Sequence, residues 1–93
     1  MIVENKRIMI IGGTGALGTA LTDRWCDNND VLVFSRNEHK QEDMKRQYPN
    51  VLYRVGDVKD KGSILRTMYE FKPEIIVNTA AMKTVWVAQD NPY

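Results

Sequence analysis

The stretch Ile8-Met9-Ile10-Ile11-Gly12-Gly13-Thr14-Gly15-Ala16-Leu17-Gly18 decides the fold of this chain. Its four apolar residues predict a buried strand, and the spacing G-x-x-G-x-x-G predicts a tight turn that leads into a helix. The first turn of a dinucleotide-binding unit has this order, because glycine lets the backbone approach a pyrophosphate and the helix N-terminus offers free N–H groups. The predicted cofactor contacts in this stretch are Gly12, Thr14, Gly15, Ala16, Leu17 and Gly18. The alternative is a plain glycine turn before a helix.

The rest of the sequence alternates predicted strands and helices. Strands are expected at residues 7–11, 31–34, 51–55 and 74–78, and helices at 15–26, 38–47 and 61–71. Residues 79–93 are expected to be irregular or to begin another helix. Crossovers of this length join parallel strands with right-handed connections. The predicted fold is therefore α/β, a partial Rossmann-type doubly wound parallel sheet in strand order 3-2-1-4 with three crossover helices.

Local signals also predict how the helices begin and pack. Thr14 is expected to cap the first helix, and Asn37 the second. Leu17, Leu21 and Trp25 recur at i, i+4 and i+8, so we predict that they form the buried face of the first helix.

Length and composition limit the protein to one small domain, residues 1–93. The hydrophobic fraction of 43% and the charged fraction of 27% are typical of a soluble globular protein. A formal net charge of +1 predicts neither nucleic acid nor a membrane surface as a partner. The single cysteine, Cys26, can form neither an internal disulfide nor a metal site, so we predict no metal and a reducing, cytoplasmic location. It is interpreted as a small helix residue rather than a reactive thiol.

The predicted sheet is smaller than a full dinucleotide-binding domain, which has six strands. We therefore interpret residues 1–93 as an N-terminal NAD(P)-binding Rossmann half-domain. Its fourth strand contains Ile75, Ile76 and Val77 and would form an apolar sheet edge, and such an edge needs a cover. Either more chain covers it or the protein forms a homo-oligomer through this edge.

Ser35 and Arg36 follow the second strand, where a dinucleotide fold recognises the adenosine ribose. A carboxylate there would repel a 2′-phosphate, whereas a hydroxyl and the planar donor fork of a guanidinium would bind one. These residues favour NADP over NAD as the cofactor. The alternatives are that Arg36 is a solvated loop residue, or that Glu38 reaches the ribose because the strand ends later.

Two further segments follow strand ends. Asp57 and Val58 come after the third strand, where a carboxylate could accept a hydrogen bond from the adenine amino group and a valine could pack on the ring. The alternative is a turn carboxylate and a core valine. Ala80 and Ala81 follow the fourth strand and are small enough for the ribose and pyrophosphate of a cofactor to pass close to the backbone.

These segments resemble the extended short-chain dehydrogenase/reductase superfamily, and more narrowly its polysaccharide-biosynthesis nucleotide-sugar dehydratases, which are lyases. The narrower resemblance rests on Val-Phe-Ser-Arg-Asn-Glu at 33–38, Gly-Asp-Val-Lys-Asp at 56–60, and the segment from Ala-Ala-Met-Lys to Asp-Asn-Pro-Tyr at 80–93. It covers essentially all of the chain but only the N-terminal third or so of such an enzyme. The type activity is the 4,6-dehydration of UDP-N-acetylglucosamine.

The resemblance implies a tightly held NADP that is recycled within each turnover. A hydride leaves C4 of the sugar, water is lost across C5 and C6, and the hydride returns to C6. Ala80, Ala81 and Lys83 would match the wall beside the nicotinamide ribose and the substrate, although Lys83 could equally be a surface lysine. A nucleotide sugar is the implied partner of the full-length enzyme.

The sequence departs from the family pattern on the substrate side. Asn78 and Thr84 stand where the family has histidines, and Trp86 where proline is common. No tyrosine is followed four residues later by lysine, so the Tyr-x-x-x-Lys pair of the family is absent, and the only histidine, His39, lies in a predicted solvated helix. We therefore predict no catalytic residue here and no turnover by this chain alone. Alternative functions are a stand-alone nucleotide-binding half-domain, or part of a related NAD(P)-dependent reductase or epimerase.

Overall fold

The computed structural model describes residues 3–12 and 14–79, and the backbone of 83–86. Strands and helices alternate from residue 7 to residue 78, as the sequence predicts. In chain order they are β1 (Arg7–Ile11), α1 (Ala16–Trp25), β2 (Asp30–Ser35), α2 (Glu38–Gln47), β3 (Leu52–Val55), α3 (Lys61–Phe71), β4 (Ile75–Asn78) and β5 (Lys83–Trp86).

The strands form one sheet in the order β3-β2-β1-β4-β5. The first four are parallel, with β1 between β2 and β4, which confirms the predicted order 3-2-1-4. Because parallel strands end at the same edge, the segments that follow β1, β2, β3 and β4 meet at the carboxyl edge of the sheet. The predicted cofactor segments after β1, β2 and β3 therefore lie at that edge, whereas Ala80 and Ala81 lie outside the described residues.

The fifth strand was not predicted. Residues 83–86 pair antiparallel with β4, in a register that places Asn78 opposite Lys83 and Ile75 opposite Trp86. The expectation of irregular or helical chain is therefore wrong for these four residues. The outer edge of β4 is also not open, so a second copy could pair there only by displacing β5. Residues 80–82 and 87–93 lie outside the described part of the chain.

The central strands β1 and β2 are buried on both faces, which explains why they are apolar without alternation. On one face, Ile8 and Ile10 pack with residues of β2, β4 and the end of α2, and Leu21 and Trp25 of α1 cover them. On the other face, α3 covers the alternate positions of β1 and β2. That second cluster comprises Met9, Ile11, Leu32 and Phe34 with Ile64, Met68, Phe71 and Ile76. Helices on both faces are the doubly wound arrangement that the sequence predicts.

The buried face of α1 differs from the prediction at its first turn. Leu21 and Trp25 pack against the core, but the side chain of Leu17 is 41% exposed. The fully buried residues of this helix are Gly18 and Thr22. The stripe that faces the sheet therefore runs at i, i+3, i+4 and i+7 from position 18, where a bare glycine lets the helix approach the strands closely.

Candidate functional site

The turn after β1 requires glycine at position 12 for two reasons. Gly12 has φ +77°, a left-handed conformation that side chains disfavour. A Cβ there would also lie 2.6 Å from Oγ1 of Thr79. That hydroxyl is 2.9 Å from the carbonyl of Ile11 and 3.0 Å from that of Gly12, so it ties the end of β4 to the turn. The Gly12 N–H donates to the carbonyl of Phe34 at the end of β2.

The N-terminus of α1 has no side-chain cap. Its N-cap residue is Gly15, and its first turn contains no acidic residue. In contrast, Asn37 and Asp60 cap α2 and α3 by accepting from the N–H groups of Lys40 and Ser63, which confirms the prediction for Asn37. The predicted Thr14 cap is wrong, because the helix begins one residue later and Gly15 takes the capping position. The first N–H groups of α1 are left without a side-chain cap, where the helix dipole favours an anion.

Gly15 is not required by packing within the protein. A Cβ added to it would meet only the carbonyl oxygen of Gly12, at 3.7 Å, which is an ordinary van der Waals contact. Its backbone, with φ −75° and ψ 177°, is open to any residue. The bare space in front of α1 is therefore one that a side chain would fill, and it suits the close approach of a pyrophosphate group.

The segments after β2 and β3 lie side by side. The Gly56 N–H donates to the carbonyl of Ser35 at 2.9 Å, and a Cβ on Gly56 would strike the ring of Phe34 at 2.5 Å. This close approach places Nη1 of Arg36 3.9 Å from Oδ2 of Asp57, with the two side chains 73% and 44% exposed. The other Asp57 oxygen accepts from the backbone N–H of Lys59 at 2.9 Å. The structure thus brings Arg36 of the predicted ribose site and Asp57 of the predicted adenine site together as an exposed pair.

Val58 and Ser35 differ in accessibility. Val58 is 43% exposed, so it is an apolar side chain at the surface rather than the core valine of the alternative interpretation. Ser35 is the last residue of β2 and only 5% exposed. Its Oγ accepts a hydrogen bond from Nε2 of Gln41, which is itself 2% exposed.

Gln41 and the hydroxyl of Thr79 are two groups at this edge that the sequence did not predict. A signal for Gln41 exists, because positions 41, 44 and 48 recur at i, i+3 and i+7, and all three are buried. Ala80 and Ala81 lie outside the described residues, and the structure describes only the backbone of Lys83, in β5. The predicted roles of these three residues stay predictions.

Two of the four tyrosines lie at the opposite edge of the sheet. The hydroxyl of Tyr48, which follows α2, donates to Asp23 in the last turns of α1 at 3.1 Å. The hydroxyl of Tyr53 donates to the carbonyl of Tyr48 at 3.0 Å. Burial raises the pKa of Tyr53 to about 12 and raises that of Tyr48 as well. Both phenols stay protonated near neutral pH and belong to the packing at this end.

The described residues contain neither a cluster of metal ligands nor a helix that could span a membrane. Across 3–12 and 14–79, no three His, Cys, Asp or Glu side chains are grouped so that they could hold a metal ion. Within the same part of the chain, every helix is too short or too polar to cross a membrane.

Comparison with known proteins decides the family. Residues 8–93 match the family described as polysaccharide biosynthesis protein. The chain belongs to this polysaccharide biosynthesis family. An inverting UDP-N-acetylglucosamine 4,6-dehydratase of Campylobacter jejuni is 36% identical over 94 residues, which is 96% of this chain and 28% of the dehydratase. A UDP-glucose 4-epimerase of Rickettsia bellii is 34% identical over 89 residues, 87% of this chain and 26% of the epimerase.

Solved structures agree with this assignment to the polysaccharide biosynthesis family. The enzyme WbmG of Bordetella bronchiseptica, in complex with NAD, superposes with a TM-score of 0.71 and 28% identity over 81% of this chain and 24% of its own. Its complex with NAD and UDP gives a TM-score of 0.72 at 27% identity over 82% of this chain and 25% of its own. The predicted family resemblance and Rossmann-type fold are confirmed. The chain spans less than a third of the length of each of these relatives.

Proposed function

We propose that this chain is the cofactor-binding N-terminal part of an NADP-dependent nucleotide-sugar 4,6-dehydratase that acts in polysaccharide biosynthesis in the cytoplasm. The observation that supports it most directly is the uncapped N-terminus of α1, with a bare Gly15 in front of it, at the carboxyl edge of a parallel sheet. The other two helices in the described part of the chain begin with a side-chain cap. This arrangement suits a pyrophosphate held by backbone N–H groups.

The choice of NADP rests on Arg36. Its guanidinium is exposed and lies beside the end of β2, where the adenosine ribose of a dinucleotide would lie. An ion pair at 3.9 Å between two solvated side chains is weak, so Asp57 can yield Arg36 to a phosphate at little cost. The guanidinium can then form two parallel hydrogen bonds to phosphate oxygens, which no NAD ribose offers.

In the complete enzyme, this chain would hold and orient the cofactor. The chemistry that a bound NADP would supply is reversible hydride transfer. The N–H groups at the start of α1 would bind the pyrophosphate, and the exposed Val58 would offer an apolar surface to the adenine ring. The predicted roles of Ala80, Ala81 and Lys83, beside the nicotinamide ribose and the sugar, belong to the same proposal.

A second candidate is the corresponding part of a nucleotide-sugar epimerase. The support is that the Rickettsia bellii relative, a UDP-glucose 4-epimerase, is 34% identical, close to the 36% of the dehydratase. Both candidates need a dinucleotide at the same loop, so they share the pyrophosphate site. On the ribose side, Ser35 and Arg36 favour NADP, the cofactor that the dehydratase resemblance implies.

The test is a parallel titration of the folded protein with NADPH and NADH, followed by nicotinamide fluorescence. We expect tighter binding of NADPH, and Arg36→Ala should weaken it about tenfold or more while changing NADH binding little, because one charge-assisted pair to the 2′-phosphate is lost. Arg46→Ala is the matched control. Arg46 is also exposed and also paired at 3.9 Å with an aspartate, Asp43, but it lies in the last turn of α2, far from the carboxyl edge.

Each result has a separate meaning. Equal affinity for the two cofactors would contradict the choice of NADP and remove the argument from Arg36. If Arg46→Ala lowers the affinity for NADPH as much as Arg36→Ala does, the effect comes from the change in net charge. Failure of the folded protein to bind either cofactor would contradict the proposal for this chain.

A further inference from the structure

Gln41 is a buried polar residue that joins the ends of two strands. Its Nε2 lies 2.8 Å from Oγ of Ser35 and 3.3 Å from the Ser35 carbonyl, both on β2. The same nitrogen lies 3.0 Å from the carbonyl of Arg54 on β3. The residue is 2% exposed, within a helix whose other buried side chain is Met44. A polar side chain buried this fully has a structural or functional cause.

The two carbonyls fix which way the amide of Gln41 points. Backbone carbonyls only accept hydrogen bonds, so the group between them has to be the NH₂ and not the amide oxygen. The Ser35 hydroxyl, facing the same NH₂, is then an acceptor in this contact. A serine hydroxyl has one proton, and Ser35 does not donate that proton to Gln41.

We infer that Gln41 is a positioning residue that turns the Ser35 hydroxyl into a donor for the cofactor's 2′-phosphate. This rests on the proposed function. By donating to the hydroxyl oxygen, Gln41 leaves the Ser35 proton directed away from itself. Ser35 is the last residue of β2, next to Arg36 in the chain. A phosphate needs donors only, and the pair Ser35 and Arg36 supplies them.

The role is specific to one cofactor, which separates it from a purely structural one. NADH has no 2′-phosphate and presents a ribose hydroxyl, which can accept or donate, so the direction of the Ser35 proton matters less to it. The ratio of NADH to NADPH dissociation constants therefore reports on Gln41 through Ser35. Loss of packing alone would weaken the binding of both cofactors together.

The experiment is a double-mutant cycle on the full chain with Ser35→Ala, Gln41→Met and the double variant, titrated with NADPH and NADH. Each single variant should lower the affinity for NADPH about tenfold and that for NADH less than about twofold, because a hydrogen bond to a charged group is lost only with NADPH. The second substitution should add nothing to the change in ratio, because Gln41 acts through the Ser35 hydroxyl. Melting temperatures of all four proteins report on folding.

The outcomes are distinct. Parallel loss of NADPH and NADH binding in Gln41→Met, or effects on the ratio that add in the double variant, would overturn the inference while leaving the proposed function intact. If Gln41→Met does not fold, Ser35→Ala decides, since it keeps both carbonyl bonds of Gln41, and an unchanged ratio in that variant overturns the inference. A wild-type protein that does not prefer NADPH overturns the choice of NADP in the proposed function and this inference with it.

Discussion

Gly12 and Gly15 stand three residues apart, yet glycine occupies the two positions for different reasons. At Gly12, a positive φ and a contact of 2.6 Å from the missing Cβ to Thr79 make glycine a requirement of folding. At Gly15, the backbone is unstrained and the nearest contact is at 3.7 Å, so the protein itself would accept alanine. Gly12 is therefore a structural glycine, whereas the missing side chain of Gly15 leaves space for a ligand.

We therefore expect the two alanine substitutions to change stability by different amounts. Gly12→Ala should lower the free energy of unfolding by about 1–3 kcal/mol, because it adds backbone strain and a steric clash. Gly15→Ala should leave it within about 0.5 kcal/mol, since a compatible backbone offsets a slightly poorer N-cap. Chemical denaturation measures both.

The same two variants test the site. Gly15→Ala should remain folded and lose affinity for NADPH and NADH alike, because the new methyl group occupies the space in front of the α1 N–H groups. Normal cofactor affinity in that variant would mean that the pyrophosphate lies elsewhere. If Gly15→Ala is destabilised, the loop has less space for a side chain at position 15 than its geometry indicates.

At the scale of the element, α3 ends in a strained residue. Its C-cap, Lys72, has φ +55° and ψ 60°, the left-handed conformation in which glycine is favoured. The position is held because Pro73 follows and cannot continue a helix, and because the Lys72 carbonyl accepts from Nε of Arg7 at 2.8 Å. Only the backbone of Lys72 takes part in these contacts.

Lys72→Gly should therefore stabilise the protein. We expect the free energy of unfolding to rise by about 0.5–1 kcal/mol. Glycine relieves the left-handed strain in the folded state, and the greater entropy of the unfolded chain offsets part of that gain. Lys72→Ala is the control, because it removes the same charged side chain but keeps the strain, so it should not stabilise. Equal gains in the two variants would attribute the effect to the side chain and not to φ.

Element by element, periodicity and caps predicted the sheet and missed what depends on tertiary contacts. The sheet order and the Asn37 cap follow from patterns that lie within short segments of chain. The Thr14 cap and the burial of Leu17 were wrong because the helix begins one residue later and faces the sheet through Gly18. Gln41 was missed because it lies among charged residues, and its partners are on two strands. The pairing of β5 needed the position of β4, which no local pattern contains.

At the scale of the molecule, the two edges of the sheet have different roles. The carboxyl edge has the exposed Arg36, Asp57 and the uncapped helix. The opposite edge is closed by a cluster in which Tyr53, Tyr48 and Asp23 are linked by hydrogen bonds, with Cys26 nearby. Burial, and then the charges of Asp27 and Asp23, raise the pKa of the Cys26 thiol. A raised pKa keeps the thiol neutral, which agrees with its interpretation as a packing residue and not a nucleophile.

This closed edge makes stability sensitive to alkali. Burial raises the pKa of Tyr53 from 10.0 to about 12, so above pH 10 the unfolded chain loses this proton before the folded one. The unfolded state then binds fewer protons, and stability falls as the pH rises. The contribution of Tyr53 is complete below about pH 10 and is lost between pH 10 and about 12. Tyr48 and Cys26, whose pKa values are also raised by burial, act in the same direction.

Tyr53→Phe isolates this effect. Near pH 8 the variant should be less stable than wild type by about 1 kcal/mol, because the hydrogen bond to the Tyr48 carbonyl is lost. The difference should shrink as the pH rises from 10 toward 12, since phenylalanine has no proton to lose. Unfolding by urea across this range measures it, with Tyr69→Phe, a ring 80% exposed, as the control that should keep the wild-type pH profile. A difference between wild type and Tyr53→Phe that stays constant with pH would mean that this hydroxyl ionises as readily in the fold as in the unfolded chain.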